Sequence, residues 1–123
     1  MIWIRICTAF RRVWMMLDKI TANALLDYYG NLLTERQRTL CRYYFEKDLS
    51  YQEIAENEGI SRTAVYDTIS VSRTQLENYE SVLHLYGNAQ RRNALYEALD
   101  NATTDPAVKN IVKQLRKIET EGE

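Results

Sequence analysis

At 123 residues the chain has room for one small domain, or for one domain with a helical extension, and not for two separate cores. Hydrophobic residues make up 46% of it, while four glycines, one proline and few alternating β-branched runs argue against a sheet, so an all-α fold is expected. Sixteen Lys and Arg against 17 Asp and Glu exclude the broad basic excess of an ordinary free-standing nucleic-acid domain. Cys7, Cys41 and His84 are too few and too scattered to build a metal site.

The first fourteen residues, Met1 to Trp14, hold Arg5, Arg11 and Arg12 and no acid. Read as a helix, Trp3, Cys7, Phe10 and Trp14 share one face, the pattern of a membrane-surface or partner-docking segment. The arginines break the apolar stretch too early for a signal peptide. Met15 and Met16 stand just before the regular helical pattern, so 1–16 is read as an extension from an upstream start codon and 17–123 as a single helical domain. Without that extension the body carries 13 basic against 17 acidic residues.

From Leu17 to about Asn31, the positions Ile20, Ala24, Leu25 and Tyr28 recur at helical spacing, and Gly30 can end the helix. Thr34 with Gln37 has the spacing of a capping box and opens a helix to about Lys47, with Leu40, Cys41, Tyr44 and Phe45 inward. Ser50 with Glu53 repeats the device, and Ser61 supplies a third cap.

Between the second and third of these caps lies a helix-turn-helix, at about 50–76. Ile54 and Val65 give each of two short helices an apolar anchor, and Ala55 is small enough for a close crossing. Gly59 stands where the turn needs a positive φ, and Ile60 fills the turn from below. Glu58 is a departure, because an apolar residue usually precedes that glycine and an unpaired buried carboxylate is costly.

After Ser61 no obvious stop appears. Val65, Ile69, Ser72, Leu76, Tyr79, Leu83 and Tyr86 form a heptad-like seam on one long helix, with His84 packed at it. The seam has two candidate partners. One is a C-terminal helix opened by Asp105-Pro106, with the stripe Val108, Ile111, Val112, Leu115 and Ile118. The other is the same seam on a second copy, a homodimer through Val65, Ile69, Leu76, Tyr79 and Leu83. Glu119 to Glu123 reads as a frayed tail.

The blocks Leu33-Thr-Glu-Arg-Gln, Leu49-Ser-Tyr-Gln-Glu-Ile-Ala-Glu and Gly59-Ile-Ser-Arg-Thr-Ala-Val-Tyr-Asp resemble region 4 of bacterial sigma factors. The chain is more similar still to the YlxM-like family of small helix-turn-helix proteins, from about Leu17 to beyond Arg92. That resemblance implies a cytoplasmic bacterial regulator. Genes of this family typically lie beside those for signal recognition particle components, and the family is thought to assist or regulate that pathway.

If the motif reads DNA or RNA, the front of its second helix carries the contacts. Arg62 can meet guanine bidentately, and Thr63 and Tyr66 can reach phosphates or a thymine methyl. Ser61 presents amides at a helix N-terminus, with Ser70 further along. Arg36, Arg38 and Arg73 are the expected backbone-positioning contacts, whereas Arg91-Arg92, a lone basic pair, reads as solvated surface before it reads as a second contact. Asp67, Glu53, Glu56 and Glu58 oppose this: from Thr34 to Leu76 there are six basic and seven acidic residues. A protein-interaction module that keeps the fold without reading DNA is therefore the alternative. A glycine-rich phosphate loop, a metal cluster and a nucleophile–base pair are all missing from the sequence, so neither an enzyme nor a cofactor is expected.

Overall fold

The computed structural model describes residues 18–121, and among these all regular structure is helical. Six helices follow in order: α1 over 18–29, α2 (Glu35–Cys41), α3 (Tyr51–Glu58), α4 (Arg62–Leu83), α5 (Leu85–Ala102) and α6 (Pro106–Glu121). The readings placed on Met1 to Met16 lie outside the described residues.

α1 buries Ala22, Leu25, Leu26 and Tyr29, a set spaced i, i+3, i+4 and i+7. The face expected from Ile20, Ala24, Leu25 and Tyr28 is thus rotated by about one position, with Ile20 63% exposed. Steps of four residues alone drift by about 40° each around a helix of 3.6 residues per turn, so the Ile20–Ala24–Tyr28 row winds off the core. A short 3₁₀ turn, Gly30–Leu32, ends the element.

The three caps form. Thr34 Oγ1 accepts from the Gln37 amide while Gln37 Oε1 accepts from the Thr34 amide, a complete capping box. Ser50 Oγ accepts from the Glu53 amide and donates to the Glu53 carboxylate, so the reciprocal arm closes on the hydroxyl instead of the backbone. Ser61 Oγ accepts from the Ala64 amide at 3.1 Å. Substituting such a cap with Ala costs about 1 kcal/mol.

The helix opened by Thr34 does not run uniformly to Lys47. It widens after Cys41 into a π-type turn over Arg42–Glu46, closed by Lys47 N–H on the Arg42 carbonyl at 3.0 Å. That widening carries Phe45 into the core and leaves Tyr44 half-buried.

α2 and α3 both pack on α4, and the shared core holds Leu40, Cys41, Ile54, Val65 and Leu76 with almost no exposed surface. Ser72, buried among them, satisfies its hydroxyl on the Thr68 carbonyl at 2.6 Å. The lower seam of α4 is therefore filled by α1, α2 and α3 of the same chain, not by α6. Val65, Ile69 and Leu76 lie inside this core, Tyr79 packs against it, and Leu83 is 48% exposed.

Nor does the helix run on. It stops at Leu83, where His84 takes a left-handed φ of 54° and is exposed, not packed at the seam. Glu80 makes this break tolerable. Its carboxylate accepts from the amides of Tyr86 and Gly87 at the start of α5, replacing the side-chain cap that His84 does not supply.

α6 opens as expected, with Pro106 first and Asp105 Oδ1 accepting from the Ala107 amide. It packs on α5, with Val112 and Ala89 buried between them. The end of α6 is not frayed up to Glu121, because Glu119 is paired with Arg92 and contacted by Tyr96.

Candidate binding surface of the helix-turn-helix

The turn is tight. Gly59 adopts φ 66° and ψ 33°, with its amide on the Ala55 carbonyl, and the Ile60 amide reaches the same oxygen at 3.1 Å. Glu58 is exposed, so its carboxylate meets water and places no strain on the turn.

The same geometry aims the start of α4 outward. Arg62, Thr63, Tyr66 and Asp67 are exposed on its first two turns, and Ser70 is half-exposed. Ser61 is exposed too, with its hydroxyl capping Ala64. These residues share one end of α4, as the sequence led us to expect. Tyr66 also belongs to an aromatic row that the sequence did not disclose. Its ring meets Tyr51 edge-on at 5.6 Å, and Tyr51 stacks on Tyr44 at 4.7 Å with 10° between planes. Lys19 of α1 lies over the far face of the row, 4.4 Å from the Tyr44 centroid. Desolvation, then hydrogen bonding to Tyr44, pushes the Tyr51 hydroxyl far above its ordinary value, so Tyr51 stays neutral.

The positioning arginines are distributed differently from that expectation. Arg73 Nη1 lies 3.0 Å from Asp18 Oδ2 of α1, and its guanidinium sits 5.3 Å from the Phe45 ring centroid. Arg62 and Arg73 are eleven positions apart on α4, about 16 Å along the axis. Arg73 thus holds α4 against α1 instead of extending the front. Arg38 donates to the Asn31 side chain at 3.1 Å, beside the turn after α1. Arg36 is exposed on α2. Arg91 and Arg92 are exposed on α5, and Arg92 pairs with Glu119 of α6.

Acids occupy the helix before the turn. Glu53, Glu56 and Glu58 are all exposed on α3, and Asp67 is exposed on α4. The result is a polar front with Arg62 at its corner, an aromatic flank and acids on the preceding helix. Among the described residues no group of three or more His, Cys, Asp or Glu is arranged to hold a metal, and no helix is long and apolar enough to cross a membrane. Cys41 is buried and its thiol is pushed up by desolvation, which leaves it a packing residue.

A family model described as "Putative helix-turn-helix protein, YlxM / p13 like" matches residues 16–118. Curated relatives run through the same region. A UPF0122 protein of Oceanobacillus iheyensis is 42% identical over 105 residues, covering 85% of this chain and 100% of the relative. One from Malacoplasma penetrans is 41% identical over 103 residues, 82% of this chain and 95% of the relative. One from Bacillus licheniformis is 38% identical over 107 residues, 85% of this chain and 100% of the relative.

Proposed function

This chain belongs to the YlxM / p13-like helix-turn-helix family, and we propose that it is a non-catalytic cytoplasmic regulator acting in the signal recognition particle pathway. Its helix-turn-helix serves there as a docking surface for a protein component of that machinery. One observation carries the choice of a protein over a nucleic acid. Of the three arginines that would extend a phosphate-binding surface from Arg62, Arg38 and Arg73 bond to Asn31 and Asp18 and Arg36 alone is exposed, while Glu53, Glu56, Glu58 and Asp67 stay exposed. Phosphate contacts supply most non-specific affinity for nucleic acid, and a front of this composition makes few. The exposed Thr63 and Tyr66 and the half-exposed Ser70, beside a half-buried aromatic row, fit a polar-rimmed protein interface better. The pathway itself is taken from the family resemblance.

The experiment is a binding titration of the purified chain with the protein and the RNA of the signal recognition particle, each alone, at physiological salt. Saturable binding to the protein that weakens with Tyr66→Ala supports the reading, and absence of protein binding overturns it.

A second reading, contact with DNA or RNA, draws on the accessible start of α4. Ser61, Arg62, Thr63, Tyr66 and Ser70 would form the contact, with Arg36 as a flanking charge. It requires binding that falls steeply with salt and is lost with Arg62→Ala.

A further inference from the structure

α5 and α6 form an antiparallel hairpin. Arg92, early in α5, pairs with Glu119, late in α6, while Asp100, late in α5, lies 3.7 Å from Lys109, early in α6. Helical phase then sorts the remaining side chains onto two edges. On the edge marked by Asp100 and Lys109, α6 carries Lys113 and Arg116 one and two turns on. The opposite edge carries Leu95 and Leu99 from α5 beside Ile111 and Ile118 from α6, at 68%, 44%, 55% and 68% exposure. On α6 no charged residue falls between Ile111 and Ile118 in the helical phase, and Leu115 adds a half-buried apolar floor, while on α5 Arg92, three positions before Leu95, borders the face and is held in its pair with Glu119.

We propose that this face is the docking site of a second copy of the chain, hairpin against hairpin, giving a four-helix bundle between two protomers. The hairpin has little core of its own, since Ala89 and Val112 are its buried hydrophobics. A facing hairpin supplies the missing layer in the way four-helix bundles do. The size fits. α6 is 16 residues long, so this side of the hairpin is about 24 Å by 20 Å, about 500 Å² before its corrugation is counted, with the four apolar side chains at its centre. Buried on both copies, that is about 1,000 Å² in total, the lower bound for a specific interface. Charge fits too. The basic residues Lys109, Lys113 and Arg116 lie on the far edge, and Arg92 at the border of the face is neutralised by Glu119, so two copies meet without an unpaired cation between the four apolar side chains. An acidic partner or an anionic membrane would call for unpaired basic residues mixed into the apolar face. The dimer thus moves away from Val65, Ile69 and Leu76, which are buried in the protomer, and it is independent of what α4 binds.

Sedimentation equilibrium of the full chain tests this. The unmodified chain is expected to be a dimer. Ile111→Glu and Ile118→Glu, at exposed positions, are expected to weaken self-association by about 30-fold or more, and Lys113→Glu on the far edge to leave it unchanged. A chain that is monomeric at every concentration overturns the proposal, as does a dimer indifferent to both isoleucine substitutions. Hydrogen exchange on the unmodified chain gives a reading that needs no variant. Protection over 95–99 and 111–118 is expected to rise with protein concentration, and a concentration-independent pattern overturns the proposal.

Discussion

The phenol of Tyr29 on α1 donates to Glu80 Oε1 on α4 at 2.8 Å and accepts from the Leu85 amide at 3.1 Å. Two buried or half-buried side chains thus fasten the start of α5 to the helix-turn-helix core. They stand in for a glycine or a conventional cap at the chain break.

Tyr29→Phe keeps the ring in place and removes this bridge. The Leu85 amide then lacks a partner, a loss of about 1–3 kcal/mol. The expected signature is local: amide exchange at Leu85, Tyr86 and Gly87 accelerates more than at Ile54 or Val65. Uniform acceleration would place the effect elsewhere.

Gly59 and Gly87 make a matched pair. A Cβ built at either meets nothing within 4 Å, but Gly59 alone has positive φ, at 66°. Gly59→Ala is therefore expected to destabilise by about 1–2 kcal/mol through backbone strain alone. Gly87→Ala, inside α5, is expected to stabilise by about 0.5–1 kcal/mol. Opposite signs in urea midpoints check the pair.

Arg73 separates packing from pairing. Its ion pair with Asp18 is more than a third exposed on the Asp side and is screened, so Asp18→Asn is expected to change stability by at most about 0.5 kcal/mol. Arg73→Ala also loses the stem packing and the Phe45 contact, and is expected to cost about 1–2 kcal/mol. Equal effects of the two substitutions would mean the ion pair dominates.

The hairpin should be acid-sensitive. Hydrogen bonding from Arg92 holds the Glu119 carboxyl below its ordinary value. Its contribution is therefore fully present above the unfolded-state pKa of about 4.3 and is lost as pH falls through the lower folded value. Amide protection in α6 is expected to drop over that window, and Glu119→Gln to remove the pH dependence.

What could be read in the chain was local. Thr34, Ser50, Ser61 and Gly59 act within three or four residues of themselves, so the caps and the turn were legible from spacing. The end of α4 was not, because His84 is neither glycine nor proline. The carboxylate that sustains its left-handed φ, Glu80, reads in sequence as ordinary surface charge. Arg73 looked like a front residue for a similar reason. Its partner Asp18 lies far upstream, and only the packing of α1 on α4 brings them together. The α1 face was misplaced because Ile20, Ala24 and Tyr28 form a drifting row, whereas Ala22, Leu25, Leu26 and Tyr29 follow the helix. At the candidate surface, Arg62, Thr63 and Tyr66 were legible, and the Tyr44–Tyr51–Tyr66 row required three elements to fold first.

A salt series on one set of binding curves decides between protein and nucleic acid: labelled chain titrated with the signal recognition particle's protein, its RNA, and random-sequence duplex DNA. Saturable protein binding is expected at physiological salt, little changed by Arg62→Ala and weakened by Tyr66→Ala, with nucleic-acid binding confined to low salt. Tight RNA or DNA binding that collapses with salt and with Arg62→Ala, alongside no protein binding, would contradict the protein-docking proposal.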